Sequence, residues 1–305
     1  MSFLTSFVNS LPGSVCQGLI WGIMAIGVYI TFRILDFADL TVDGSLALGG
    51  AVSVMLLKAG YSPIFSMLVA TLSGLVAGFI TGFLHTKCKI PAILAGILTQ
   101  LALYSINLRV LLGHANQAVS AGMTKVFVSQ RFVREASITN PNFKTIGLLA
   151  IIIALLYTFF GTEMGCAVRA VGCNAKMARA QGINTDSYTI LALMLSNGLV
   201  ALSGAAIAQF QGSADVNMGR GAIVIGLAAV IIGEVLFSRI FKNFALRLAG
   251  VVLGAVIYYL VISAVLQLGL NTNDLKLLSA AVVAVFLTAP NIKNFKFLKG
   301  GRRNA

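Results

Sequence analysis

Apolar residues run along the chain in nine blocks of helical length, near 14–32, 44–58, 62–84, 91–112, 146–161, 188–211, 221–237, 247–270 and 276–290. Polar positions collect between the blocks rather than alternating within them. Each block is close to the ~20 residues that carry a helix across a hydrocarbon core. In lipid such Ala-, Leu-, Ile- and Val-rich runs must be helical, because strand or coil would leave backbone groups unpaired. The pattern predicts an all-α, polytopic transmembrane bundle of about eight to ten spans, built as one transmembrane domain over 1–305. The first block has no basic stretch and no small-residue cleavage site ahead of it, so it reads as a retained span rather than a signal peptide.

Two stretches interrupt the pattern. "FRILDFADLTVDGS" (32–45) sets Arg33, Asp36, Asp39 and Asp43 among apolar neighbours. It is either a short cytoplasmic loop or a helix break at membrane depth, where irregular backbone is tolerated only beside protein or a water-filled cavity. The side of the N-terminus stays open with it. Asp36, Asp39 and Asp43 are candidates for a translocation path or gate. Helix capping is the alternative, and Asp43 ahead of Gly44-Ser45 is well placed for it. Gln100, Asn107, Arg109, Asn197, Gln209, Gln211 and Glu234 are the other polar residues in or near spans. Asn197 and Gln209 are further path candidates, with helix-to-helix hydrogen bonding as the competing role.

The second interruption is "GCAVRAVGCNAKMARAQGINTD" (165–186), inside a polar segment 162–187. A helix from Glu163 should break at Gly172. Asn174 suits the N-cap of a short helix over Ala175–Gln181. Gly182 suits the left-handed position after that helix, with Ile183 supplying the hydrophobic contact that often follows. Thr185 or Asp186 can cap the next span. The expected product is a short helix lying flat on the membrane surface and closed at both ends. Lys176 and Arg179 would face water, and Ala175 and Ala178 would offer a small-residue face. Met177 is almost its only large apolar side chain, which disfavours a helix bedded in lipid head groups.

Glycines also recur four apart. Gly74, Gly78 and Gly82 lie in one block, Gly18 and Gly22 in another, and Gly250 and Gly254 in a third, with "LSGAA" at 202–206. Such stripes let helix backbones approach closely. Whether they pack within one subunit or between two is open at this stage.

Composition narrows the class. The 305 residues are 58% hydrophobic and 10% charged, with mean hydropathy +0.93, where a soluble domain carries about 25% charged residues. The net charge of +13 is scattered through short loops and the tail, so it sets orientation in the bilayer rather than marking a nucleic-acid surface. The tail 291–305 holds Lys293, Lys296, Lys299, Arg302 and Arg303, which makes the C-terminus cytoplasmic. Counting back places "SRIFKNFALR", the 165–186 stretch and "HTKCK" on the same side. The nearly neutral loops 212–220 and 271–275 then lie outside, as does the 113–145 loop despite its four basic residues. Cys16, Cys88, Cys166 and Cys173 have no metal or redox spacing, and His85 and His114 stand alone, so no metal site is expected.

The 165–184 stretch resembles the cytoplasmic coupling segment of ABC-importer permeases of the branched-chain amino acid and ribose type. Their pattern, G-x-x-x-R-A-x-G-x-N-x-x-x-A-x-x-x-G-I-N, matches at Gly165, Arg169, Ala170, Gly172, Asn174, Ala178, Gly182, Ile183 and Asn184. "DLTVDGSLALGGA" (39–51) is similar to the "DLSVGSxLALxGA" stretch of ribose-type permeases, with Asp43-Gly44 where that pattern has Gly-Ser. "LSGAAIAQFQGSADVNMGRG" (202–221) is similar to a third family region, and "LDFADLTVDGSLALG" looks closest to a subgroup found with tryptophan-type binding proteins. The resemblance implies a permease of the bacterial inner membrane, paired two-fold, with a homodimer favoured. It also implies two cytoplasmic ABC ATPase subunits and an extracytoplasmic substrate-binding protein. The 165–184 residues, with Arg179, would couple it to the ATPase. The substrate would be a small solute, an amino acid and an aromatic one first. No G-x-x-x-x-G-K-[ST] loop occurs, so the chain has no phosphate cradle of its own. It is therefore not expected to be an enzyme or to bind a cofactor; ATP and Mg would sit on the partner. The competing reading is a secondary transporter or channel driven by an ion gradient. Only the Asp cluster sustains it, since no carboxylate relay lies within the spans.

Overall fold

In the computed structural model the described residues are 3–119, 127, 140–237, 240–241, 243–267 and six positions between 277 and 288. The tail 291–305 and most of the ninth apolar block lie outside them.

The other eight blocks are helices. They are α1 (Phe3–Tyr29), α2 (Val42–Lys58), α3 (Pro63–Thr86), α4 (Ala92–Val110), α5 (Pro141–Gly161), α8 (Thr185–Gln211), α9 (Ala222–Phe237) and α10 (Phe244–Gln267). Between α5 and α8 come the short α6 (Glu163–Cys173) and α7 (Ala175–Ala180). Six helices are long and apolar enough to cross a membrane, whereas α2 and α9 are shorter. The result is the polytopic helical bundle that the hydropathy pattern requires, and the chain is a multi-pass membrane protein.

Helix directions follow from the contacts. Ser203 donates to the Ile20 carbonyl and Ser196 to the Gly27 carbonyl, so α1 and α8 run antiparallel. The N-terminal end of α1 therefore lies opposite the end that carries α6 and α7. Ser10 beside Ser263 and Asn142 beside Pro12 agree. This sets the N-terminus at the end opposite α6 and α7.

The 32–45 stretch is partly loop and partly membrane-depth break. The helix of α1 widens into a π turn, Ile30–Ile34, at the α6/α7 end. The chain reverses at Asp36, whose φ is 54°, and climbs back into the bundle before α2 begins. Asp39 bonds Asn197, which stands twelve residues beyond Thr185 in α8, or roughly 18 Å along it. So α2 starts near mid-depth. The 213–221 segment does the same from the other side. Its first residues pair as β2 (Ser213–Asp215) with β1 (Asn116–Ala118), Asn116 opposite Asp215, at the far end of the bundle. It then descends until Gly219 crosses the Asp43 backbone so closely that a Cβ there would overlap the Asp43 carbonyl. The sequence had placed 212–220 as a short outer loop and anticipated no strands. The segment is instead re-entrant, and α9 also starts at mid-depth.

The glycine stripe packs within the chain. A Cβ on Gly74 would overlap the Asn197 carbonyl, one on Gly78 the Leu193 carbonyl, and one on Gly82 would come 2.9 Å from the Ile190 Cα. All three neighbours belong to α8. Gly18 and Gly22 face Val256 and Val252 of α10 in the same way. Gly78→Val should therefore separate α3 from α8 and cost about 3 kcal/mol through overpacking. The expected readout is loss of monodisperse protein in mild detergent, because the clash is with backbone and no rotamer relieves it.

Candidate functional site

The segment between α5 and α8 is built by three caps and three glycines. Thr162 caps α6 by accepting from the Gly165 N–H. A Cβ on Gly165 would overlap the Phe160 backbone, so only glycine allows α5 to turn into α6 this tightly. Asn174 ends α6 and caps α7, its side chain accepting from the Met177 N–H at 3.0 Å. At the other end Gly182 has φ 82°. Gly182 N–H bonds the Arg179 carbonyl and Ile183 N–H the Ala178 carbonyl, each at 3.0 Å. That pair is the Schellman closure anticipated from Gly182-Ile183. The N-cap of α8 is Asn184, which accepts from Ser187 N–H, rather than Thr185 or Asp186.

Burial separates the roles of these residues. Ala178 is fully buried and Ile183 half-buried, so α7 is held down by its own closing turn. Ala175, Lys176 and Met177 point outward, Met177 being 53% exposed. Arg179 is not simply solvated. It donates to Thr185 Oγ1 at 2.6 Å and lies 3.6 Å from Asp186, which Lys87 and Lys89 also approach. Arg169 folds back as well, donating to the Phe160 carbonyl at the end of α5 and covering the Phe244 ring of α10 at 5.9 Å. Gly172 sits where α6 crosses the π turn. A Cβ there would overlap the Ile34 carbonyl and reach the Leu35 Cα. The segment thus joins the membrane helices at two hard points, Gly172 on the π turn and Arg169 on α5 and α10.

The five path candidates fall into different places. Asp36 is exposed at the α6/α7 end. Asp39 is buried and bracketed, accepting from Thr41 N–H at 2.9 Å and from Asn197 Nδ2 at 2.7 Å. Asn197 is saturated, since its Oδ1 also accepts from Ser45 at 2.6 Å and its Nδ2 also reaches the Leu193 carbonyl. Gln209 is buried between Ser53, Ser66 and the Pro63 carbonyl, a helix-to-helix contact. Asp43 caps a helix other than its own: its carboxylate accepts from Gly221 N–H at 2.9 Å and Ile223 N–H at 3.0 Å at the start of α9.

Of the five, Asp43 alone lines a cavity among those described. Gln100, Tyr104, Asn107 and Arg220 stand around it. Sequence reasoning did not gather these four, although Gln100, Tyr104 and Asn107 share one face of α4 at spacings of four and three. Arg220 carries no such signal, because its position depends on the re-entrant path of 213–221. Among the described residues no group of His, Cys, Asp and Glu side chains is placed to hold a metal.

Comparison with known proteins agrees with this architecture. The family described as "branched-chain amino acid transport system / permease component" matches residues 11–288. The chain is 41% identical to the tyrosine transport system permease protein of Clostridioides difficile, over 93% of this chain and 92% of that one. It is 31% identical to an uncharacterized protein of Rickettsia prowazekii, over 92% and 98%. To the ribose import permease protein RbsC of Escherichia coli it is 24% identical, over 94% and 87%. The chain belongs to the branched-chain amino acid transport system permease family.

Proposed function

We propose that this permease imports an amino acid, aromatic first, by alternating access driven by a separate cytoplasmic ATPase. The observation that carries the coupling is α7. It is capped at both ends, anchored by buried Ala178, and leaves Lys176 and Met177 uncovered at one end of the bundle. A helix with so little apolar surface gains little from lipid, but a protein groove can seat it. Beside it His85, Lys89, Arg179 and Asp186 line a hollow of about 270 Å³. The aromatic preference rests on the likeness to the tyrosine permease. The α6/α7 end gathers Arg33, Lys87, Lys89, Arg169, Lys176, Arg179 and Arg247. By the charge rule that end is cytoplasmic, which puts the N-terminal end of α1 outside in a bacterial inner membrane; the basic tail 291–305 belongs on the cytoplasmic side by the same rule. A second copy and an extracytoplasmic binding protein complete the importer. The aspartates give no support to an ion-driven mechanism, because Asp39 is held by Thr41 and Asn197 and Asp43 caps α9.

The test is co-purification from mild detergent. A P-loop ATPase should accompany the wild-type chain in stoichiometric amount. Met177→Glu should reduce it by about tenfold, the size of one lost interface anchor, with the chain itself still monodisperse. Arg179 is a poor choice for this test, because reversing its charge also breaks the tie to Asp186. A wild-type chain that brings no ATPase and transports on an ion gradient in liposomes would overturn the proposal.

A further inference from the structure

We propose that the cleft between α4 and the 213–221 segment is a waypoint that binds the amino acid as a zwitterion, its ammonium on Asp43 and Asn107 and its carboxylate on Arg220. The inference rests on the amino-acid reading above and adds the residues that recognise the substrate within the membrane.

The cleft encloses about 330 Å³, at the lower end of the roughly 300–1,000 Å³ usual for small-molecule sites. It lies at the depth where α2 and α9 both begin, and its wall includes backbone that is neither helix nor strand. Polar side chains and irregular backbone at that depth need water or a ligand, not hydrocarbon. Discontinuous helices whose N-termini meet at mid-depth are also how membrane transporters present polar groups to a solute.

Asn107 is the independent indicator. It is 1% exposed, and its Oδ1 has no hydrogen-bond partner among the described residues. The amide cannot be turned round to remove this defect. Its Nδ2 donates to the Gly44 carbonyl at 3.3 Å, and reversal would set oxygen against oxygen. A buried acceptor left unmade is costly, and Asn107 stands in the cleft wall, so a donor that reaches it there would satisfy it. Asp43 is the second acceptor. Its oxygens take the Gly221 and Ile223 N–H groups, with Ala222 N–H also against them, which still leaves room among a carboxylate's roughly four acceptor positions. Both acceptors favour an N–H-rich cation. The opposite charge is answered by Arg220, which is exposed, lies 5.8 Å over the Tyr104 ring, and has no carboxylate within ion-pair reach among the described residues. A planar guanidinium held on a ring is suited to grip a carboxylate in two places. Leu101, Val216 and the face of Tyr104 supply apolar wall for the side chain. A ligand with only one charge would leave half of this set unused.

The test uses the full chain in lipid nanodiscs with Leu101→Cys as a thiol reporter in the cleft, beside uptake by the complete importer. L-tyrosine should slow labelling of the reporter by about fivefold at saturation. Tyramine, which lacks the carboxylate, and 3-(4-hydroxyphenyl)propionate, which lacks the ammonium, should each need about tenfold more ligand, the size of one lost charged hydrogen bond. Added to the reporter, Asn107→Leu and Arg220→Gln should each raise the L-tyrosine needed for protection by about tenfold, while Arg220→Lys keeps part of it and all three variants stay monodisperse in detergent, which separates recognition from misfolding. Labelling indifferent to L-tyrosine, or equal protection by tyramine, overturns the site. Uptake of L-tyrosine without protection leaves the importer reading intact and removes the cleft. Protection without uptake keeps the cleft and removes the importer reading.

Discussion

Asp39→Leu should leave the chain unable to hold its two broken halves together, and uptake should fall to background. Asp39 is buried, and it joins the turn before α2 to the middle of α8 through Thr41 N–H and Asn197 Nδ2. Around it a further set of bonds runs from Thr41 to Thr81 of α3 and from there to Thr99 of α4. Leucine would strand the Thr41 N–H and one arm of Asn197 in a site without water. Each unmade buried bond costs about 1–3 kcal/mol, so a loss of about 3 kcal/mol is expected, with a lower melting temperature in detergent as the measurement. Asp39→Asn is milder. The Asn197 amide can turn so that its oxygen meets the new NH₂ while its own NH₂ donates to Ser45, at the expense of the Leu193 contact. The asparagine variant also separates bracket from gate. A bracket predicts a pH profile of uptake with the wild-type shape and a lower amplitude. A proton gate predicts that asparagine flattens the profile.

The bracket also shows where sequence reasoning reached its limit. Period and length made α1 to α5, α8, α9 and α10 legible, because lipid leaves an apolar run of that length no other form. The α7 caps were legible because each is local: Asn174 bonds three residues ahead, and Gly182 closes on its own preceding turn. Asp39 read as one of an aspartate cluster and Asn197 as a lone polar residue in a span, with nothing to link either to Ser45, and the partnership spans more than 150 positions. Asp43 misled in a particular way. Its place before Gly44-Ser45 suggested a cap on its own helix, whereas its carboxylate closes the start of α9. Nothing local distinguishes these outcomes; the difference lies in the descent of 213–221 to mid-depth. The motif glycines likewise look alike in sequence but differ in space. Gly182 is needed for its φ and has open space around it, whereas Gly172 and Gly165 are needed because backbone lies against them.

That difference supports the second large effect. Gly172→Val should uncouple ATP hydrolysis from uptake, whereas Gly182→Val should only loosen the end of α7. At Gly182 nothing lies within 4 Å of a Cβ, so the cost is left-handed strain, about 1–2 kcal/mol. At Gly172 the new side chain would enter the Ile34 carbonyl and the Leu35 backbone, and neither can rotate away. The π turn is tied on its far side too, through Leu35 N–H to the Ile30 carbonyl and Phe37 N–H to the Thr31 carbonyl, so α6 must lift instead. Lifting it breaks the close backbone contact between α6 and the turn that leads to Asp36, Asp39 and the start of α2. Caps at Asn174 and Gly182 survive, so α7 keeps its outward face and should still retain the ATPase. Reconstituted with the proposed ATPase and binding protein, the complex carrying Gly172→Val should hydrolyse ATP within about twofold of wild type while uptake per ATP falls tenfold or more, a coupling loss within the usual 1–3 kcal/mol. Hydrolysis and uptake falling together, with ATPase lost from the complex, would instead make Gly172 part of the dock. Unchanged uptake per ATP would mean that movement reaches α2 by the other hard point, Arg169 on α5 and α10.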